Sequence, residues 1–512
     1  MTDAALGRLM LAFDGLELPE PMRRRLAGAP AAGVTLFRYR NVSDPAQVRA
    51  LTEAIQSCAP GDEPFLVAID QEGGQLTGLG GASTQFAGNM ALGAADDPEL
   101  TRRVGASIGR ELRAVGVNVD YAPVADLATN PANPSLGVRS FGDDPRRVAS
   151  HVAAMVEGLE SAGVAATLKH FPGKGDAGVD THHELATVDR SHDALAAREL
   201  IPFMAGVGAA SLVMSGHFAI PALTGRRPAT LSATVMHDLL RAELGFSGVT
   251  ISDSFDMDAL APGDGRLRDA IAAMDAGVDL ILLGSRSDPS RFDAALRAAG
   301  RDAAADPIGT RQALGRITAL RRRLAGHERP ELAIVGGPEH AALARELAER
   351  SVTLVRDRES LLPLRLAPDD RILAVMPRPA DLTPADTSAA VRPGLAAALR
   401  RHHPHVDEHL VDHAPPPGQI DAAVTRAREA DCLVIGSISA SFEPGQASLV
   451  SALLDVGRPA VTVALRTPWD LAAYPSAGTH ACTYSIVEPS LEALAAALFG
   501  RAGFPGRLPV AS

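Results

Sequence analysis

The densest run of reactive side chains is Lys169-His170-Phe171-Pro172-Gly173-Lys174-Gly175-Asp176-Ala177-Gly178-Val179-Asp180-Thr181-His182-His183. Two cations close an apolar stretch, and a glycine-rich loop then carries Asp180 two residues before His182. That spacing keeps the pair from facing each other on a helix, but a loop can fold one onto the other. An Asp accepting from one imidazole nitrogen fixes the tautomer and raises the basicity of the other nitrogen. His182 is therefore a candidate proton-transfer group; two solvated residues on a loop are the other reading of the same spacing. Gly173-Lys174 lacks the G-x-x-x-x-G-K-[ST] spacing, which argues against nucleotide binding. Asp70, Asp126, His217 and Asp253 each follow a further apolar run. Any one of them could be a solvated strand end, but the whole set suits a small polar substrate.

These residues need a frame that brings strand ends together. Eight short apolar runs precede residue 290: Leu9–Phe13, Val34–Phe37, Phe65–Ile69, Val117–Val124, Ala166–His170, Leu212–His217, Val249–Ser252 and Leu280–Leu283. Runs apolar on both faces suit parallel strands sandwiched between helices and an interior. Helical segments lie between several of them, including Pro98–Val115, Pro145–Ala162 and Ser232–Leu244, two of them opened by Asp-Pro start signals. The expected fold is α/β, a (β/α)₈ TIM-type barrel with its chemistry at the C-terminal ends of the strands. The connections Pro123–Ser150 and Pro172–Ala197 are too long for plain βα loops. A charged helix, Pro307 to Leu324, leads to Gly326-His327-Glu328-Arg329-Pro330, which marks a boundary between units 1–326 and 327–512. Beyond it Leu332–Val335, Val352–Val355, Ile372–Met376, Cys432–Ile435 and Val461–Leu465 predict a C-terminal open α/β sandwich domain.

Composition narrows the partners. In 512 residues, Lys plus Arg number 49 and Asp plus Glu 61, a formal charge of −12. So acidic a chain is a poor binder of nucleic acid or an anionic membrane. Cys58, Cys432 and Cys482 are odd in number and far apart, which points to a reducing, cytoplasmic setting and not to a disulfide framework. Met1 to Leu18 carries Asp3, Asp14 and Glu17 and does not read as a secretory signal. Leu200–Leu223 lacks charge but holds Pro202, Pro221 and His217, so it reads as helix, turn, buried strand and loop rather than as a membrane span. His402, His403, His405, His409 and His413 lie beside Asp407, Glu408 and Asp412. They read as a solvated edge strand more readily than as a zinc site. Trp469 is expected in core or interface, and no cofactor is called for.

Lys169-His170-Phe171-Pro172-Gly173 with Asp180-Thr181-His182 resembles the signature of glycoside hydrolase family three β-N-acetylglucosaminidases, the NagZ type, in its two-domain form. Asp70-Gln71-Glu72-Gly73-Gly74, Arg139-Ser140-Phe141 and Ser252-Asp253 with Met257 resemble further motifs of that family, in family order over roughly residues 5 to 325. Leu465-Arg466-Thr467-Pro468-Trp469-Asp470 is similar to a segment of the second domain of its two-domain members. The resemblance implies Asp253 as nucleophile and His182 as acid/base oriented by Asp180. It also implies Asp70, Arg139, Lys169 and His170 as holders of the sugar hydroxyls. The implied reaction is retaining, exo-acting removal of terminal β-linked N-acetylglucosamine from peptidoglycan fragments during cell-wall recycling. Gln75, Lys174 and Thr181 stand where the family commonly has Arg, His and Ser. Three rivals stay open: a phosphorylase, a β-glucosidase or β-xylosidase of the same family, and a silent sugar-binding protein. The Asp-x-His loop argues against the second, and Asp253 with His182 against the third. A metal-dependent amidohydrolase would want H-x-H at the first strand, which here ends Phe13-Asp14-Gly15.

Overall fold

The computed structural model describes residues 4–181, 183–284, 286–302 and 307–511. Each of the eight apolar runs overlaps a strand: β1 (Leu9–Leu11), β2 (Gly33–Thr35), β3 (Leu66–Ile69), β4 (Val119–Asp120), β5 (Ala165–Phe171), β6 (Leu212–Ser215), β7 (Val249–Ser252) and β8 (Ile281–Leu282). Their order is β7-β6-β5-β4-β3-β2-β1-β8, and a parallel bridge between Ile251 and Leu280 joins the two ends into a barrel. The runs are apolar on both faces because alternate side chains serve different cores. Met10, Leu66, Ala68, Val119, Tyr121, Leu212, Met214 and Ile251 share one cluster. Leu9, Leu11, Val67, Ile69, Leu168 and Val213 join the other, larger one. The two Asp-Pro signals start helices as expected. Asp97 accepts from the backbone of Glu99 and Leu100, and Asp144 from that of Arg146 and Arg147, each with proline in the first turn. Such caps contribute about 1 kcal/mol each.

The apparent span at Leu200–Leu223 resolves into helix Leu200–Gly206, strand β6 and short pieces. Among the described residues no helix is long and apolar enough to cross a membrane.

The second sheet holds β9 (Thr353–Asp357), β10 (Ile372–Pro377), β11 (Val406–Val411), β12 (Cys432–Ser437), β13 (Ala460–Ala464) and β14 (Thr479–Cys482). Its order is β9-β14-β13-β12-β10-β11, parallel except where β9 meets β14. Helical residues such as Leu395, Leu399 and Leu494 pack in one cluster, and Ala423, Leu449 and Leu453 in another. Two expectations need correction. Leu332–Val335 is not a strand: Leu332–Ile334 is a 3₁₀ turn ending before Gly336, whose N–H donates to Glu111. Four apolar residues are too few for periodicity to separate the two. β14 went unrecognised because Thr479-His480-Ala481-Cys482 is polar in part, though His480 is fully buried and bonds Thr462. The histidine-rich stretch disperses: β11 is an edge strand, His402 stacks on Phe499, and His403 bonds the Asp370 carbonyl.

The two units are extensively joined. Helix Pro338–Ser351 lies on the barrel through His340–Glu111, Arg103–Glu346 and Arg350–Asp97. The C-terminal tail returns to it where Arg507 donates to the Ala94 carbonyl and Asp143 to the Pro509 carbonyl. Trp469, half-buried, donates to the Ala511 carbonyl at this junction.

Candidate active site

The parallel barrel delivers its strand ends to one rim. Asp70 follows β3, Asp120 ends β4, Lys169 and His170 lie near the end of β5, and Asp253 follows β7. Asp70, Arg139, Lys169, His170 and Asp253 all line one cavity of 460 Å³, within the usual range for a small-molecule site. Of the other residues singled out in sequence, Asp126, Asp180 and His217 are not among those lining it.

The floor is a compensated ion network. Lys169 Nζ lies 2.6 Å from both Asp70 Oδ1 and Glu72 Oε1. Arg139 forks onto Glu72, with Nε to Oε2 at 2.9 Å and Nη2 to Oε1 at 2.8 Å, and its Nη1 donates to the Ser135 carbonyl at 2.7 Å. Burial pushes the Glu72 carboxyl up, but Arg139 and Lys169 outweigh it and hold the group at about 2. Lys169 is pushed down by burial and carried above its ordinary value by Asp70 and Glu72. Two cations therefore face two carboxylates, in fixed orientations, before any ligand arrives. Beside this network, burial pushes the Asp120 carboxyl well above the usual range, and its Oδ1 accepts the Gln71 N–H at 2.9 Å.

A second pair ties the long loop to the barrel. His170 Nδ1 lies 2.7 Å from Asp126 Oδ2, and Asp126 Oδ1 accepts the Lys174 backbone N–H at 2.8 Å. Asp253 Oδ1 accepts the Ser254 N–H at 2.8 Å, and its own N–H donates to the Ser215 carbonyl. The neighbouring Asp256 is engaged elsewhere, accepting from the Arg286 N–H at 2.6 Å and Ser287 Oγ at 2.5 Å. His217 is fully buried, bonds Thr230 and is held below its ordinary value by burial. Asp180 and Thr181 are buried in the loop, and the Asp180 carbonyl accepts from the backbone of His183 and Glu184. His182 lies outside the described residues, so its expected contact with Asp180 does too. His183 is exposed and lines the cavity.

Residues 11–299 match the family model "Glycosyl hydrolase family 3 N terminal domain". The chain belongs to glycosyl hydrolase family 3. It is 34% identical over 379 residues to Beta-hexosaminidase A of Pseudoalteromonas piscicida, a match covering 68% of this chain and 63% of that protein. It is 38% identical over 297 residues to a Beta-hexosaminidase of Stenotrophomonas maltophilia, covering 57% of this chain and 86% of the relative. The solved structure of a glycoside hydrolase family 3 beta-N-acetylglucosaminidase from Paenibacillus sp. str. FPU-7 superposes with a TM-score of 0.93 at 33% identity, covering 100% of this chain and 98% of that one. This family 3 chain is accordingly a glycoside hydrolase.

Two parts of the family 3 site were not recognised in sequence. Glu72 was visible only as a letter in Asp70-Gln71-Glu72-Gly73-Gly74, yet it is the hub that Lys169 and Arg139 share. The second domain also reaches the cavity, where Pro384, Ala385, Asp386 and Thr387 form one wall. That wall is fastened to the barrel at Gln75, one of the positions where this chain departs from the family pattern. Gln75 Oε1 accepts from Arg466 Nη2 at 2.5 Å, and Arg466 Nη1 donates to Asp386 at 2.8 Å. Thr387 Oγ1 donates to the Gln75 carbonyl at 2.9 Å, and Tyr39 donates to Asp381 at 2.8 Å.

Proposed function

We propose that the chain is a retaining, exo-acting β-N-acetylglucosaminidase whose nucleophile is Asp253 and whose acid/base is His182, oriented by Asp180. The observation carrying this reading is the Asp253 carboxylate on a cavity whose floor is the Lys169–Asp70–Glu72–Arg139 network. The names of its hexosaminidase and N-acetylglucosaminidase relatives support the choice of sugar. Lys169, Asp70, His170 and Arg139 orient the terminal sugar, with residues 1–326 as the catalytic unit. The Asp253 carboxylate attacks the anomeric carbon as the bond to the leaving oxygen breaks, and His182 delivers its proton to that oxygen. Water then attacks the anomeric carbon of the glycosyl-enzyme, giving its proton to the same imidazole as the bond to Asp253 breaks, which frees the carboxylate and restores the original anomeric configuration. A histidine can serve because its ordinary pKa lies near neutrality. The resemblance of motifs supports peptidoglycan fragments in the cytoplasm as the natural substrates.

The test compares p-nitrophenyl β-N-acetylglucosaminide with the β-glucoside, each with and without phosphate, and adds a slow fluorinated substrate to label the nucleophile. Hydrolysis of the N-acetyl substrate and a label on Asp253 are expected. A sugar 1-phosphate formed only with phosphate would make the chain a phosphorylase, and a label on Asp256 or Asp258 would refute the assignment.

A further inference from the structure

The second domain carries a cavity of its own, of 180 Å³, which shares no lining residue with the substrate cavity. It lies where open parallel sheets hold their ligands. From β10 the chain passes to β11 on one side and then crosses to β12 on the other. The carboxyl ends of β10 and β12 therefore flank a topological switch point, where the connections part and leave a crevice. The cavity is built from the segments that follow these strands: Leu382 after β10, His413 after β11, Ser439 and Glu443 after β12, and Arg466 after β13. The barrel closes it at Pro134.

Ser439 sits at φ +66°, a left-handed backbone that a side-chain-bearing residue keeps only where its surroundings hold it. Its carbonyl accepts the Phe442 N–H at 2.9 Å and the Glu443 N–H at 3.1 Å, and this turn sets both residues on the cavity. Phe442 keeps 41% of its surface open. Glu443 is half-buried and precedes helix Pro444–Leu454 without capping it, and its carboxylate has no hydrogen bond or ion pair among the described residues. The cation on the same cavity is already taken, since Arg466 is held by Asp386 and Gln75. His413 does not balance the charge either: burial pushes it below its ordinary value, and its Nδ1 has no partner.

These features converge on one ligand chemistry. A carboxylate that has given up water without gaining a counter-ion is costly, and a cation restores what it lost. An open phenyl face beside it favours an ammonium. A neutral imidazole and the Ser439 hydroxyl offer partners to hydroxyl groups. The volume is below that of a drug-sized pocket and suits a single ring. We propose that this crevice binds an amino sugar in its ammonium form, the cation between Glu443 and Phe442 and the ring hydroxyls toward His413 and Ser439. The site stands apart from the substrate cavity and does not depend on the catalytic assignment.

The test uses glucosamine, glucose and N-acetylglucosamine, which present an ammonium, a hydroxyl and a neutral amide at one ring position, at about pH 6 where the amine is protonated. Each is titrated calorimetrically into the full chain as wild type, Glu443→Gln and Phe442→Ala. Glucosamine should bind wild type, and Glu443→Gln should weaken that binding by about tenfold or more, the size of one charge-assisted contact. Phe442→Ala, at an exposed position, makes the same comparison by a separate route and should cost about threefold. Added salt should weaken the wild-type binding. Glucose and N-acetylglucosamine should bind wild type and Glu443→Gln alike. Circular dichroism and Tm show that each variant folds. No glucosamine binding by wild type, or equal glucosamine affinity in wild type and both variants, overturns the proposal. A Glu443→Gln loss of the same size for glucose would make the crevice a neutral-sugar site and overturns it too.

Discussion

Glu72→Gln keeps the shape of the hub and removes one charge from the point where two cations converge. In the folded protein Arg139 and Lys169 hold the Glu72 carboxyl at about 2 against an ordinary 4.5, despite burial. That gap corresponds to roughly 3 kcal/mol of folding free energy tied to the ionised form. The folded value is the lower one, so the contribution is complete above about 4.5 and is lost as pH falls from there through about 2. At pH 7 the variant lacks all of it. The size agrees with the roughly 3–5 kcal/mol lost when a buried ion pair is broken from one side. For a unit of roughly 330 residues, with about 2.1 cal/mol/K of unfolding entropy per residue, that is a Tm lower by roughly 4–5 °C. Function should suffer as well: Lys169, pulled equally by Asp70 and Glu72 at 2.6 Å, loses one of its two anchors. A shift of about 1 Å in such a group can cost roughly 10²-fold in rate. Thermal unfolding of wild type and variant between pH 7 and pH 3, with kcat/KM on p-nitrophenyl β-N-acetylglucosaminide, measures both. The Tm gap should be widest at neutral pH and narrow on acidification. A variant within about 2 °C of wild type at pH 7 and within threefold in kcat/KM would refute the reasoning.

Two further predictions follow from the loop and from the second domain. His182→Ala should cost little with aryl leaving groups of low pKa and up to roughly 10²–10⁴-fold with basic ones; such a dependence for His183→Ala, and none for His182→Ala, would move the acid/base to the exposed neighbour. Arg466→Ala leaves Asp386 buried without its cation and frees the wall at Pro384–Thr387, so stability should fall by roughly 3–5 kcal/mol and KM should rise more than kcat falls. Unfolding midpoints and steady-state kinetics read out both, and an unchanged KM would show that the wall does not touch substrate.

The barrel was legible because its signal is local. Runs such as Leu66–Ile69 and Leu212–Ser215 are apolar on both faces, and that pattern follows from burial on both sides of a parallel strand. The rim residues were legible for the same reason: Asp70 and Asp253 each come directly after such a run, and a parallel barrel sends all its strand ends to one side. Where the local signal failed, a tertiary contact had replaced it. Glu111 satisfies the N–H of Gly336 and ends the turn that reads as a strand at Leu332. His480 is an interior strand residue because Thr462 takes its Nδ1, a partner no pattern in Thr479-His480-Ala481-Cys482 announces. Glu72 was hidden in another way, since its role depends on Arg139 and Lys169, which converge on it from two other segments.

Gln75 shows where motif reading reaches its limit. As a departure from the family's usual Arg it could only be recorded, since nothing nearby in sequence pairs with it. In the folded chain its side-chain oxygen meets Arg466, a residue 391 positions away, and its carbonyl meets Thr387. An Arg at position 75 would set two guanidiniums against each other at that junction, with only Asp386 to balance them. The glutamine is neutral and offers an acceptor, so it matches an arginine supplied by the other unit. The departure and the second-domain wall therefore meet in one contact: a neutral glutamine on the barrel accepts from the arginine that also holds Asp386 in the loop lining the cavity. Exchanging the two, as Gln75→Arg with Arg466→Gln, should restore much of the stability that either change alone removes. A double-mutant cycle on Tm and KM measures this, and strict additivity of the two single effects would show that the two positions are not coupled.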